Sequence, residues 1–178
     1  GGYACIGSGA YTSESTPVEL SSFSATVQKN QICLDWITQC ESNNYGFEVE
    51  KSIDGTNFST NQFIKGFGTT NNTQYYSCTD KDLLVGKYYY RLKQIDFDGQ
   101  FTYSEKIEVY LKAPNNYSLT QNYPNPFNQN TQVYFQLPEY SRVTFKIFNV
   151  LGHEIKTLID KELEAGFHSI IWDGNIQN

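Results

Sequence analysis

The sequence predicts an all-β protein: two tandem β-sandwiches behind an extended N-terminal arm. Three observations carry this. Apolar and polar residues alternate at period two in one short segment after another. Turn dipeptides (Asp54-Gly55, Asp98-Gly99, Asp173-Gly174) punctuate those segments. No stretch of the 178 residues shows the three-to-four spacing of an amphipathic helix.

Residues 1–16 (GGYACIGSGAYTSEST) are rich in Gly, Ser and Thr and read as an arm or linker. Alternation begins at Pro17, where Val18, Leu20, Phe23, Ala25 and Val27 form a first strand whose phase shifts once. Ile32, Leu34 and Trp36 then alternate with Cys33 and Asp35, and this Trp is expected to fill the space between two sheets. Phe47 and Val49 alternate with Glu48 and Glu50 up to the Asp54-Gly55 turn. Phe63, Ile64 and Phe67 mark the next strand, and Tyr75–Thr79 a short one after it. Tyr88–Leu92, closed by Asp98-Gly99, and Tyr103–Leu111 complete a first domain over residues 17–112.

Ala113-Pro114-Asn115-Asn116 is a linker by composition, and the second domain occupies residues 117–178. It opens on Tyr123-Pro124-Asn125-Pro126-Phe127-Asn128, where two prolines fix φ and forbid helix. Strands follow at Thr131–Leu137, Val143–Asn149, Glu154–Ile159 and Gly166–Trp172, ending in Asp173-Gly174.

Composition narrows the function classes. Thirteen Lys and Arg against 19 Asp and Glu give a net charge of −6, which argues against nucleic acid as a partner. No apolar run approaches the ~18 residues that cross a bilayer. A chain with no Met that starts Gly1-Gly2-Tyr3 is expected to have a processed or cut front end. Cys5, Cys33, Cys40 and Cys78 contain no C-x-x-C pair, and His153 and His168 lie far along the chain, so no structural zinc is expected. The four cysteines allow two disulfides in three connectivities, while Cys78, lying in a strand, reads equally as a small core residue.

With the elements placed, residues 17–112 resemble the fibronectin type III-like module of exported bacterial proteins. The segments PVELSSFSATV, LDW, NNYGFEVEKSIDG, GKYYYRLKQIDFDG and YSEKIEV carry the likeness. Residues 116–178 resemble the C-terminal sorting module of type IX secretion cargo, an Ig-like sandwich. Here the likeness rests on YPNPFN (Tyr123 to Asn128), FQLPE, VTFKIFNVLGHEI and AGFHSIIWDG, whose end is Trp172, Asp173 and Gly174. The first resemblance implies that Tyr88 and Tyr90 are core. The second implies passage through the secretion machinery to the extracellular space or outer-membrane surface of a Gram-negative bacterium. The family pattern runs on past the Trp-Asp-Gly turn, so the second sandwich is expected to lack its final strand or strands.

No residue pattern points to catalysis, and the protein is expected not to be an enzyme. His153-Glu154 lacks the second His of a zincin, and His168 is expected to pack beside Trp172. No G-x-S-x-G elbow is present. No cofactor is expected; the one metal option is calcium at Asp96 and Asp98, which turn chemistry explains as well. Tyr89 with Tyr103, or Tyr75 with Tyr76, are candidate exposed platforms for a sugar ring.

The leading expectation is a secreted structural subunit that assembles head-to-tail with copies of itself. In it, the arm (Tyr3 and Cys5, or Ala4 and Ile6, as alternating side chains) adds a strand to the incomplete second domain of the next copy, and Cys5 could lock the junction. Two alternatives stand beside it: accessory and sorting modules attached to the upstream domains of a larger exported enzyme or adhesin, and a carbohydrate-binding sandwich.

Overall fold

Period-two alternation becomes strand wherever one face can be buried, and the first half of the chain shows this most clearly. The computed structural model describes residues 18–174; the arm residues Tyr3, Ala4, Cys5 and Ile6 lie outside them. The chain divides into two compact units between Leu111 and Lys112, just before the linker expected at 113–116. All regular elements among the described residues are β-strands.

The first unit contains β1 (Leu20–Gln28), β2 (Gln31–Thr38), β3 (Glu41–Ser52), β4 (Ser59–Thr70), β5 (Gln74–Asp80), β6 (Gly86–Asp96), β7 (Phe101–Tyr103) and β8 (Ile107–Leu111). They form two antiparallel sheets, one in the order β1-β2-β5, the other β4-β3-β6-β7 with β8 also paired to β6. Ile32, Leu34 and Trp36 of β2 face Phe47 and Val49 of β3 and Tyr88, Tyr90 and Leu92 of β6 in one core. Trp36 is fully enclosed, stacked on Tyr76 (centroids 5.3 Å, 7° between planes) and edge-on to Phe47 at 5.6 Å.

Two strands run longer than apolar alternation indicates. β3 starts at Glu41 because its first inward residues, Glu41 and Asn44, are polar yet buried. β4 extends over the polar stretches flanking Phe63–Phe67 because it pairs along nearly the whole of β3. At Gly46 the backbone is crossed closely: a Cβ there would sit 2.5 Å from both the Ile64 carbonyl oxygen and the Phe63 ring.

The second unit contains β9 (Ser118–Leu119), β10 (Thr131–Leu137), β11 (Ser141–Phe148), β12 (Glu154–Leu163) and β13 (Gly166–Trp172). One sheet has the order β13-β10-β9 and the other is the pair β11-β12. The two-residue β9 carries too little pattern to be read from sequence. Phe135 of β10 meets Phe145 of β11 across the sheets, with centroids 6.4 Å apart. Of the seventeen buried apolar side chains among the described residues, only Phe135 and Leu137 belong to this unit. The outer face of β11-β12 is polar and paired, Arg142 with Asp160 and Lys146 with Glu154.

Candidate functional site

The densest cluster of polar chemistry lies inside the first unit. Glu41 is 2% exposed, and its carboxylate accepts hydrogen bonds from the Thr38 hydroxyl (2.8 Å), Asn44 Nδ2 (2.9 Å), the Phe67 amide (3.0 Å) and the Tyr76 hydroxyl. Asp80 likewise accepts from the Tyr90 hydroxyl at 2.8 Å and pairs with Lys51 at 2.9 Å. Each carboxylate is satisfied by the protein itself, so both serve packing: they let polar residues enter a sandwich core.

Burial, reinforced by Glu41, lifts the Tyr76 phenol well above its ordinary value of 10.0, and burial with Asp80 does the same for Tyr90. The Cys78 thiol, ordinarily near 9.0, is pushed up to about 11, first by burial and then by Asp80. These groups therefore hold protons in the folded state that the unfolded chain releases. Their contribution to stability is complete below pH 9 and is lost as pH rises, through 9 to about 11 for the thiol and above 10 for the phenols. Urea midpoints measured from about pH 8 to about pH 12 should fall steadily over the upper part of that range. A flat profile would contradict the buried placement.

The outward face of the large sheet binds its own charges. The Arg91 guanidinium lies between the rings of Phe58 (4.2 Å) and Tyr103 (3.9 Å) while Nε donates to Glu50 at 2.7 Å. Lys93 sits over Phe101 and pairs with Glu48. Tyr89 is approached by both Lys87 and Lys106. Tyr89 and Tyr103 thus each carry cations. Tyr75 and Tyr76 do not form one platform: as neighbours in β5 they point to opposite faces, and Tyr76 is buried against Trp36.

The remaining sequence candidates are placed as follows. Cys40 is disulfide-bonded, while Cys33 and Cys78 are free thiols; Cys5 lies outside the described residues. Cys33 and Cys78 therefore supply no second disulfide; they project to opposite sides of their sheet, and Cys78 packs in the core. Asp98 is occupied by the Gln100 amide and side chain, and Asp96 by Gln94, which is turn chemistry. No group of three metal-ligating side chains exists among the described residues. His168 packs on Phe135 (5.3 Å, 21°), its register partner, and not on Trp172 as expected. Its Nε2 lies 2.9 Å from the Glu164 carbonyl oxygen.

The second unit gathers the two motifs that stand furthest apart in its sequence. Tyr123 bridges to Gln132 by backbone hydrogen bonds in both directions. The Pro124 carbonyl accepts from the Thr131 hydroxyl at 2.8 Å, and Asn122 Nδ2 donates to that same hydroxyl oxygen at 3.0 Å. This folds the Pro-rich segment back so that Phe127 reaches Trp172, with ring centroids 5.3 Å apart. Gly174 (φ 69°) closes over the Phe127 ring, which a Cβ would approach to 3.0 Å.

Beside this junction a groove of about 480 Å³ runs between the two sheets. Leu119, Val133, Phe145, Ile147, Ile170 and Trp172 supply most of its apolar wall. The Trp172 indole nitrogen is buried and has no hydrogen-bond partner. Sequence reading identified Trp172 as a motif residue but not the groove's other apolar walls, which look like ordinary inward strand positions.

Residues 121–169 match the family model of the secretion system C-terminal sorting domain. The match falls wholly within the second unit. A sorting domain of the type IX kind marks the chain as a secreted protein, one that meets the secretion machinery during export and is delivered to the cell surface or the extracellular space. No curated protein matches the chain. The matched segment contains Phe127 and most of the groove's lining, while Leu119, Thr120, Ile170 and Trp172 lie just outside it. No helix among the described residues is long and apolar enough to cross a membrane.

Proposed function

We propose that this is a non-catalytic structural protein of the outer-membrane surface of a Gram-negative bacterium, a subunit that builds a fibre head-to-tail by strand complementation. One observation carries the reading: among the described residues, β11-β12 is a two-stranded sheet over an apolar groove. Unpaired strand edges and an open apolar surface make a sandwich prone to take up another strand. The first unit supports the reading by contrast. Its two sheets share a closed core, and its buried carboxylates Glu41 and Asp80 are committed to packing. Copies joined this way meet through two different surfaces, a head-to-tail contact that grows a filament when its rotation closes no ring.

Electron microscopy of the purified protein tests this. Filaments are expected from the full chain and should be lost when residues 1–16 are deleted. Monomers alone in both preparations would sink the proposal.

The family match favours a second reading, in which these are accessory and sorting modules of a larger exported enzyme or adhesin. Intact mass of the native protein separates the two, since upstream domains would add tens of kilodaltons.

A further inference from the structure

The turn that joins β11 to β12 exposes side chains that surface turns rarely carry. We infer that its tip, Val150 with Leu151, is the element by which the sorting domain docks on the secretion machinery, entering an apolar cleft in a protein component. This goes beyond the fibre reading and does not depend on it. For the class of partner it rests on the sorting-domain match.

Turns at a surface are built mostly from glycine and polar residues, whose side chains lose nothing by staying in water. The segment Phe148-Asn149-Val150-Leu151-Gly152-His153 departs from that. Val150 is 103% exposed, Leu151 76% and Phe148 55%, so three large apolar groups crowd one tip. The other two short connections of this unit, Pro138-Glu139-Tyr140 and Glu164-Ala165, each carry a carboxylate.

The tip is held in one shape from within. Asn149 engages three successive amides: its side-chain oxygen accepts from Leu151 and His153, each at 2.9 Å, and its carbonyl accepts from Gly152 at 3.0 Å. Its own amide donates to the His153 carbonyl oxygen at 2.9 Å. Gly152 (φ 82°) turns the chain where a Cβ would strain it. The backbone polar groups are thus spent inside the turn, and what faces outward is hydrocarbon. A loop fixed in advance also loses little freedom on binding.

Partner chemistry follows from this surface. Residues 147–152 carry no ionisable side chain, and at the base of the tip Lys146 pairs with Glu154 at 2.7 Å. A few apolar side chains without a basic cluster do not hold a protein on a membrane, which takes a larger apolar area or a polybasic patch. In a protein cleft a few central side chains carry most of the binding. The whole turn lies within residues 121–169, the segment matched to the sorting domain, whose partner during export is the secretion machinery.

Export of the full-length protein by the bacterium that makes it tests the inference, with the amounts outside and inside the cell measured by immunoblot. Val150→Asp/Leu151→Asp should lower the exported fraction about tenfold or more, with the protein retained in the cell. Val150→Ile/Leu151→Met keeps the tip apolar and should export as the parent does. Tyr140→Asp puts a charge at another exposed turn of the same unit and should also leave export unchanged. The purified aspartate variant should unfold at the parent's urea midpoint, since both side chains already project into water. Should that midpoint fall, Val150→Ser/Leu151→Ser decides instead: reduced export at unchanged stability supports the docking tip, and unchanged export overturns it.

Normal export of a stable aspartate variant, or an equal loss from Tyr140→Asp, would overturn the inference. Flotation with vesicles of phosphatidylethanolamine and phosphatidylglycerol should not carry the parent. Vesicle binding that the aspartates abolish would assign the tip to a lipid surface and defeat the protein cleft. Filaments of purified protein that vanish in the aspartate variant while export stays normal would assign it to a second copy, again defeating the inference. Lost export with filament formation unaltered upholds it, so the two readings fail separately.

Discussion

Replacing Glu41 with leucine should lower the stability of the first unit by about 3–5 kcal/mol, although leucine is the more usual core residue. Four donors converge on the carboxylate, from Thr38, Asn44, Tyr76 and the Phe67 backbone. Leucine would strand all of them in a region that water does not reach. Glutamine tests the argument more finely. Its oxygen can still accept from Thr38 and Tyr76, but its amide would face the Asn44 Nδ2 and the Phe67 N–H, donor against donor. A substantial loss is therefore expected from the glutamine variant too. Urea denaturation followed through the near-UV signal of the Trp36–Tyr76 stack measures both. A leucine variant as stable as the parent would show that the buried carboxylate costs as much as its hydrogen bonds return.

Trp36→Ala should cost a similar amount, about 3–5 kcal/mol, through a different mechanism. The indole is enclosed by Phe23, Phe47 and Tyr76, with centroids 6.4, 5.6 and 5.3 Å away. Its removal opens a cavity at the centre of both sheets, which a rigid pleated wall cannot collapse to fill. Tyr76 links the two predictions, since its ring stacks on Trp36 and its hydroxyl reaches Glu41. The substitutions should therefore couple, and the double variant Glu41→Leu/Trp36→Ala should lose less than the summed single losses. Strict additivity would contradict the shared role of Tyr76.

Much of the first unit was legible because its strands bury apolar residues on one face. Ile32, Leu34 and Trp36, or Tyr88, Tyr90 and Leu92, announce their burial by alternation alone. The start of β3 did not, because Glu41 and Asn44 look like surface residues until Tyr76 and Phe67 are brought to them from β5 and β4. Gly66 shows the same non-local logic: a Cβ there would meet the Asn44 side chain at 2.5 Å. In the sorting domain the Pro-rich phrase and the Trp-Asp-Gly turn were visible as motifs. Their meeting through Phe127 and Trp172 was not, since strand pairing of β10 with β13 creates it. The walls of the groove were hidden for a related reason: inward-facing residues in a sequence do not reveal whether a second sheet is wide enough to cover them.

The placement of Cys78 has a consequence for how the protein keeps its covalent structure outside the cell. A chain with one disulfide and free thiols is open to exchange, in which a thiolate attacks the existing S–S bond and scrambles it. Only the ionised sulfur attacks, and a thiol pushed up to about 11 leaves about one molecule in ten thousand ionised at neutral pH. Packing in the core also denies Cys78 an approach to any partner. The sandwich thereby acts as a chemical lock on this sulfur, keeping it out of exchange for as long as the first unit stays folded.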